Sequence, residues 1–396
     1  MTQNETTQTI RLWEAQRQTD GAPLSLPPKA YTDPGFFALE VESLFRRQWL
    51  CLGRVDEIPA PGDFFTLDLL DEPLLVVRGD DHCVRVLSNV CRHRNTIVAS
   101  GSGNARRFVC PYHSWSYHRD GTLDRAPNAT PDQLALLDNC RLECLRSEIW
   151  QGFIYANFDD EASPLGPRLT ALDILLQRYH PDTMHQVFST QETWATNWKS
   201  LIENFMEGYH LSTVHPQTLA PMAPTRLCEK LDGGLDWTGY RAHYPEHFDA
   251  KVDNPDLTLM EQRCSTLFSV LPGQVVSQRA NMLVYLALQP LNANEVGVRW
   301  GLSVYDRNLS AGQIDQFVDG WKAINREDHS ILTRVQAGLR SRNAIAGPLG
   351  RSDHEGTVID FHNYSYNLVL LAMVHEIVSK VRYYMCQDFY NNLSKI

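Results

Sequence analysis

The chain has 396 residues, 43% of them hydrophobic and 21% charged, which is enough for two or three domains with a large core. The formal net charge of -11 at pH 7 argues against nucleic acid and anionic membranes as partners. No apolar run could span a membrane, and the polar start MTQNETTQTI lacks a signal-peptide pattern. We therefore expect a cytoplasmic protein whose nine cysteines are thiols or metal ligands rather than disulfides.

The chain changes from helical to β patterning near residue 50. Residues 1–30 are polar and rich in proline, which predicts a loose N-terminal arm, and residues 33–49 have the apolar spacing of a helix. From residue 50 to about 159, short segments rich in β-branched residues are separated by Gly, Pro and Asp turns. This pattern predicts a small antiparallel β domain whose last clear strand is FIYANF.

Two short cysteine–histidine loops lie in this β region. The first, C-R-H, spans Cys91 to His93, and the second, C-P-Y-H, spans Cys110 to His113. Two cysteines and two histidines fit either a structural zinc ion or a Rieske [2Fe–2S] cluster, in which the cysteines hold one iron and the histidines the other. The first loop is shorter than the usual zinc spacing, and a serine and Tyr117 in the segment Ser114–Tyr117 after the second loop can donate hydrogen bonds toward the cluster sulfurs. The sequence therefore favours the cluster over zinc.

A second motif, NWKSLIENFMEGYHLSTVH, covers residues 197–215. If the segment is helical, Glu207 and His210 share a face because they are three residues apart. His215 precedes a proline, so we expect it on the turn that leaves the helix. Two imidazoles and one carboxylate from elsewhere make the facial triad that binds non-haem Fe(II) and leaves positions open for O₂.

The two motifs together resemble the Rieske non-haem iron oxygenases, specifically their catalytic α subunit. The resemblance covers nearly the whole chain in the right order. It implies an α+β fold in which residues 46–160 form the small antiparallel β Rieske [2Fe–2S] domain. Residues 161–396 would form a larger helix-grip catalytic domain with an antiparallel sheet and a mononuclear iron, to which the arm and helix of residues 1–45 would also belong.

The resemblance also implies the third iron ligand. Similar proteins carry an aspartate in a helix reading E-D, seven residues, then Q-x-G-L, and residues 327–339 match this pattern with Asp328 at the ligand position. Asn204 corresponds to a residue near the iron, where it could hold a water molecule. From the residues alone, other carboxylates are as eligible as Asp328: Glu327, Asp353 and Asp360.

Electron supply and assembly are further implications of the resemblance. The chain contains no G-x-G-x-x-G dinucleotide fingerprint in a strand–turn–helix context, so we expect a separate reductase to oxidise NAD(P)H. In the family, the electron crosses from the cluster of one subunit to the iron of its neighbour within a ring, commonly a homotrimer. The resemblance places Glu207 as the bridge, bonded to His210 at the iron and to His113 on the neighbouring cluster.

The residues at positions 207 and 208 bear on the substrate. Ring-dihydroxylating relatives usually carry aspartate where this chain has Glu207, whereas glutamate resembles the branch of the carnitine and glycine betaine monooxygenases. That branch typically reads E-C-Y-H, and Gly208 departs from it. We expect a monooxygenase that uses O₂ to hydroxylate or N-dealkylate a small methylated ammonium compound.

Other functions stay open at this point. Within the same enzyme class, the chain could hydroxylate an aromatic compound or an aromatic acid. A Rieske electron carrier without catalysis and a zinc-binding interaction protein are alternatives of different classes. Trp198 and Tyr209 are predicted to pack in the core, and an aromatic cage for an ammonium group could draw on several residues: Tyr285, Phe361, Tyr364 and Tyr366.

Overall fold

The computed structural model of the chain describes residues 2–18, 21–137, 139–250, 252 and 254–393, with side chains described only between residues 5 and 372. The helices are α1 (Thr2–Arg17), α2 (Lys29–Thr32), α3 (Pro34–Ser43), α4 (Pro131–Ala135), α5 (Leu165–Arg168), α6 (Thr170–Leu176), α7 (Trp198–Phe205), α8 (Leu211–Val214), α9 (Ala311–Leu339) and α10 (Ser352–Leu393). In the described part of the chain, no helix is long and apolar enough to cross a membrane.

The β-strands fall into two groups along the chain. The first group is β1 (Leu50–Arg54), β2 (Asp63–Leu69), β3 (Glu72–Arg78), β4 (Val84–Ser88), β5 (Ser102–Asn104), β6 (Phe108–Val109), β7 (Ser116–Tyr117), β8 (Leu123–Arg125), β9 (Cys144–Trp150) and β10 (Phe153–Asn157). The second is β11 (His185–Trp194), β12 (Cys228–Lys230), β13 (Trp237–His243), β14 (Cys264–Val270), β15 (Gln274–Gln278), β16 (Met282–Asn292) and β17 (Glu295–Val304).

The first group forms the predicted antiparallel β region. Seven strands pair in the order β1-β10-β9-β4-β3-β2-β5, and β6, β7 and β8 form a separate three-stranded sheet. A hydrophobic cluster between them contains the two cysteines of the cysteine–histidine loops, Cys91 and Cys110. These strands lie between residues 50 and 157. The domain boundaries drawn at residues 45 and 160 stay predictions.

The second group forms a larger antiparallel sheet in the order β11-β17-β16-β15-β14-β13-β12. Strand β16 is buried along Met282–Pro290, because both of its faces are covered. Helices α7, α9 and α10 pack on the sheet, while α5 and α6 contribute to a second hydrophobic cluster with residues of β14 to β16. Asp328 lies in α9, one continuous helix of 29 residues.

The N-terminal prediction is wrong in part. Residues 2–17 form helix α1 rather than a loose arm, and its side chains Ile10 and Trp13 are buried. Trp13 packs edge-on against the ring of Tyr366 with centroids 5.2 Å apart. The helix predicted over 33–49 begins with Asp33 as its cap and ends at Ser43, followed by a short 3-10 turn at Phe45–Arg47.

A buried ion pair connects this N-terminal region to helix α7. Lys199 Nζ lies 2.7 Å and 2.9 Å from the two carboxylate oxygens of Glu40, and both side chains are almost fully buried. Trp198 also donates from Nε1 to Glu40 at 3.1 Å. Burial raises the pKa of Glu40 and lowers that of Lys199, while their mutual attraction acts against both shifts. The pair therefore fixes the start of the helix that carries Asn204.

We expect Lys199→Met to destabilise the fold by about 3–5 kcal/mol, because it leaves the Glu40 charge buried without a partner. The double variant Glu40→Gln/Lys199→Met removes both charges but keeps an acceptor for Trp198, so it should recover most of that loss. Denaturant unfolding of the single and double variants measures the difference. A single variant as stable as the wild type would show that the pair does not hold α7.

Candidate active site

Three predicted iron ligands meet at one point in the structure. The ligand atoms of His210, His215 and Asp328 all lie within 4.8 Å of one another, and among the described residues this is the group that meets that criterion. Asp328 Oδ1 lies 3.0 Å from Nε2 of His215 and 3.6 Å from Nε2 of His210. His215 and Asp328 are buried. The arrangement leaves two imidazole nitrogens and a carboxylate facing a common space.

The backbone places His210 differently from the predicted helix. Helix α7 ends at Phe205, so Glu207 and His210 do not lie on a continuous helix. They are held instead by a turn in which a Glu207 carboxylate oxygen accepts the backbone N–H groups of Tyr209 and, at 3.0 Å, His210. His215 caps the C-terminus of α8. It therefore lies on a turn that leaves a helix, as predicted from the proline that follows it.

Gly208 is required by packing against the sheet. A Cβ at this position would lie 2.4 Å from Sγ and 2.8 Å from Cβ of Cys228, a contact that real Cβ atoms do not make. Cys228 on β12 thus fills the space that a larger residue at position 208 would need. This contact accounts for the departure from E-C-Y-H at position 208.

Each imidazole of the triad has a carboxylate behind it. Nδ1 of His210 lies 2.6 Å from Glu207 Oε1, and Nδ1 of His215 lies 2.7 Å from Glu327 Oε2. Since an ionised carboxylate only accepts, Nδ1 of each ring carries the proton and Nε2 presents its lone pair. Carboxylates in this position orient a metal-binding imidazole and raise its basicity.

The site fits a divalent cation. His215 Nε2 is buried and makes no aligned hydrogen bond, although Asp328 Oδ1 is only 3.0 Å away. Burial opposes charge on His215, but the carboxylates of Asp328 and Glu327 outweigh it and raise its pKa. An unpartnered lone pair in surroundings that favour positive charge is what an Fe²⁺ ligand requires. Asn204 donates from Nδ2 to Asp328 Oδ1 at 3.0 Å, which holds that carboxylate in place.

Glu327 was missed as a functional residue in the sequence, where it served only as an alternative to Asp328. Its carboxylate also accepts a hydrogen bond of 2.6 Å from the Thr218 hydroxyl. The available signal was the requirement that a metal-binding histidine has a partner for its second nitrogen. The identity of that partner could not be predicted from the sequence, because Glu327 is 112 residues away from His215 in the chain.

We expect Glu327→Gln to weaken iron binding about tenfold, since the neutral amide is a poorer acceptor for Nδ1–H of His215. Iron retained after dialysis against a graded chelator series measures this change. Glu229→Gln is the matched control, because Glu229 pairs with His243 at 2.9 Å on the exposed edge strand β12 and its neighbour. Equal iron retention in both variants would remove Glu327 from the site.

The four cluster residues lie together at one end of the first β region. Cys91 and Cys110 are buried free thiols, and the exposed rings of His93 and His113 have centroids 4.7 Å apart. Trp115 stacks on His93 at 4.7 Å. Burial raises the pKa of Cys110, but the backbone N–H groups of Tyr112 and His113 and the Cys91 thiol more than reverse this. A lowered pKa favours the thiolate that binds metal.

The arrangement fits a two-iron cluster better than one zinc ion. Within the described residues, these four do not form a group whose ligand atoms all lie within 4.8 Å, as a single tetrahedral ion would need. A [2Fe–2S] cluster has two irons, so its two cysteines and two histidines do not need to meet at one point. The Tyr117 hydroxyl lies 3.3 Å from Cys91 Sγ, as the sequence suggested, whereas Ser116 donates to Asp124 instead.

A cavity lies beside the triad, between α7 to α9 and strands β13 to β15. Three aromatic rings line it, Phe205, Tyr240 and Trp321. One cation, Arg279, also lines it. The remaining side chains of its wall are mostly apolar, and they include Leu211, Leu219, Met222, Leu267 and Ile324.

The aromatic residues considered from the sequence lie elsewhere. Tyr285 bonds to Gln186 at 3.3 Å, and Phe361 packs edge-on against Trp198 with centroids 5.5 Å apart. Trp198 is buried as predicted. The prediction for Tyr209 is wrong, because its side chain is 58% exposed and stacks on His354.

Comparisons with known proteins divide the chain in the same way. Residues 48–145 match the Rieske [2Fe–2S] domain, and residues 175–369 match the catalytic domain of the ring hydroxylating alpha subunit. The glycine betaine monooxygenase oxygenase subunit of Pseudomonas aeruginosa is 32% identical, covering 90% of this chain and 92% of that protein. The carnitine monooxygenase oxygenase subunit of Acinetobacter baumannii is 26% identical, covering 89% and 95%.

Solved structures share the fold. The quaternary ammonium Rieske monooxygenase CntA in complex with L-carnitine superposes with a TM-score of 0.75 at 22% identity, covering 88% of this chain and 96% of that chain. Naphthalene 1,2-dioxygenase from Rhodococcus sp. bound to indole gives a TM-score of 0.78 at 20% identity, covering 93% and 99%. Both likenesses establish the architecture of the two metal-binding regions.

Proposed function

The chain belongs to the Rieske non-haem iron oxygenases as a catalytic α subunit, and from this premise we propose that it oxidises an N-methyl group of a quaternary ammonium compound. It is an oxidoreductase that incorporates O₂ and uses a [2Fe–2S] cluster and a mononuclear Fe²⁺. The observation that carries the substrate proposal is the cavity at the triad, with its three aromatic rings. Aromatic faces attract ammonium groups.

The residues of the chain divide the work between two sites. When bound, the cluster supplies electrons one at a time and the mononuclear iron supplies the position at which O₂ reacts. In this proposal Cys91, His93, Cys110 and His113 hold the cluster. His210, His215 and Asp328 hold the iron, a role supported by their geometry. Glu207 and Glu327 keep the Nδ1 protons in place, and Asn204 restrains the Asp328 carboxylate.

The reaction balances as a monooxygenation. One O₂, two electrons and two protons convert an N–CH₃ group to N–CH₂OH and water. The C–N bond of the cationic N–CH₂OH product then breaks, which releases formaldehyde and one proton and leaves the bonding electron pair on the demethylated amine. The electrons come from NAD(P)H through a separate reductase, which is typical of this family. The similarity to the glycine betaine and carnitine oxygenase subunits over nearly the whole chain supports this choice.

We further propose a homotrimer in which electrons cross between subunits. The His113 ring is exposed, which a contact with a neighbouring chain requires. Glu207 bonds to His210 with one carboxylate oxygen and to the backbone with the other, at a partly exposed position. A His113 ring from the next subunit would complete the bridge from cluster to iron.

A single turnover tests the substrate proposal without the reductase. The iron-loaded protein is reduced chemically and exposed to O₂, and products are analysed by mass spectrometry with two substrate panels, methylated ammonium compounds and aromatic acids. We expect a demethylated amine together with formaldehyde. A hydroxylated aromatic ring, with the ammonium panel unchanged, would replace this proposal by aromatic hydroxylation.

A further inference from the structure

The cavity beside the triad is lined by Arg279, a cationic side chain that no carboxylate of the described residues pairs with. We propose that the Arg279 guanidinium binds a carboxylate of the substrate, so that the substrate class is carboxylated, as in a betaine, rather than a simple methylated amine or amino alcohol. This inference rests on the proposed function for the oxidised end of the molecule. For the other end of the substrate, the carboxylate, the support is the Arg279 side chain itself.

Arg279 lines the cavity without an ion-pair partner among the described residues. Its Nε atom is buried and has no hydrogen-bond partner, and within the described residues no carboxylate pairs with it. Burial lowers its pKa, and the main influence acting the other way is the nearby Tyr244. By contrast, Arg54 and Arg168 each reach a carboxylate, at 3.3 Å and 2.8 Å.

A buried Nε–H without a partner is costly, because its hydration is lost and the nearby ring of Trp321 replaces it only in part. A carboxylate ligand offers two oxygens in the geometry of the guanidinium fork. Asp328 is the carboxylate that lines the same cavity, and it faces the two histidines of the triad. The anion that Arg279 requires must therefore come from the ligand.

The strand register places Arg279 on the wall of the cavity. Residues that alternate along a strand share a face of the sheet. Ala242 pairs with Ser265 and Thr266 pairs with Gln278, so Arg279 follows on the strand end beside Ser265. The hydroxyl of Ser265 and the side chain of Ser277 line the same cavity. Polar groups are thus gathered near Arg279, while the apolar wall continues toward the helices.

Helix α9 sets the spacing between the cation and the metal site. The Arg279 guanidinium lies 4.7 Å from the ring centroid of Trp321, and Trp321 and Asp328 both face the cavity. Seven residues of helix place their backbones about 10 Å apart. A ligand that reaches from Arg279 to the triad therefore extends over several bonds. The positive guanidinium also repels an ammonium group, so the ammonium end points toward the triad.

The test compares a trimethylammonium carboxylate with its methyl ester, which keeps the ammonium charge but has no negative charge at the other end. We expect kcat/KM of the wild type to favour the carboxylate on the order of 100-fold, because the ester leaves Arg279 unpaired. Arg279→Gln should lose that preference because kcat/KM falls for the carboxylate substrate only. Arg279→Lys should keep part of the preference. Arg241→Gln on β13, which is two strands away, should keep the full preference, because Arg241 also has a buried Nε without a partner but does not line the cavity.

A binding readout separates this inference from catalysis. The thermal shift that each ligand gives with metal-free protein should be larger for the carboxylate in the wild type and equal for both ligands in Arg279→Gln. Equal use of carboxylate and ester by the wild type would overturn the role of Arg279 while leaving N-demethylation intact. Turnover of aromatic acids alone, still dependent on Arg279, would keep the anion site and remove the proposed function.

Discussion

Asp328→Ala protein should contain about two irons per chain instead of about three and should form no product. In the proposed site the carboxylate is the negative ligand, and its removal leaves His210 and His215 as two neutral nitrogens. Two neutral ligands bind Fe²⁺ poorly compared with a triad that includes a carboxylate. The loss of turnover should exceed the roughly 100-fold typical when a residue that only orients a ligand is removed.

Iron analysis and the visible spectrum of the cluster measure this result separately. The cluster spectrum should be unchanged, because Cys91 and His93 lie in another part of the fold. Asp353→Ala is the matched control, since Asp353 pairs with Arg351 on the surface and was one of the alternative carboxylates in the sequence. Wild-type turnover in Asp328→Ala would remove Asp328 from the triad.

Glu207→Gln protein that has been loaded with iron should hold both metal centres and yet turn over about 100-fold more slowly. The amide keeps one acceptor oxygen, which can still accept from Nδ1–H of His210, although its NH₂ group cannot accept the backbone N–H groups that the second carboxylate oxygen accepts. What it loses is the negative charge that, in the proposed assembly, links His210 to His113 of the neighbouring subunit. The slow step should then be oxidation of the reduced cluster.

Glu327→Gln provides the comparison for this variant. Glu207 and Glu327 lie behind the two triad histidines at nearly the same distance, 2.6 Å and 2.7 Å. Both substitutions should weaken iron binding to a similar degree. In stopped-flow experiments on iron-loaded protein, only Glu207→Gln should slow cluster oxidation. The same cluster rate in both variants would limit Glu207 to orienting His210.

The sequence predicted which side chains meet at the site better than it predicted the local backbone. His210 and His215 were placed together from their spacing, and the resemblance supplied Asp328. The continuous helix expected through Glu207 does not exist, because α7 stops at Phe205 and a side-chain-capped turn takes over. That turn brings Glu207 against His210, as a helix would have done. The predicted contact is therefore present although the predicted helix is not.

Contacts between distant residues were beyond the reach of one sequence. Glu327 meets His215, and Lys199 meets Glu40, across 112 and 159 residues. Gly208 looked like a departure from a functional motif, but its cause is the Cys228 side chain on a strand that forms later in the chain. In the sequence, Arg279 is distinguished only as the charged residue that follows the strand segment QVVSQ.

A mixed assembly tests most directly the central claim that the cluster of one subunit serves the iron of another. Differently tagged Cys110→Ser chains, which lack the cluster, and Asp328→Ala chains, which lack the iron, are co-expressed and purified through both tags. Iron analysis verifies that each chain keeps its remaining centre. We expect product in a single turnover of the mixed assembly and none from either variant alone. A mixed assembly that holds both centres and forms no product would contradict electron transfer between subunits.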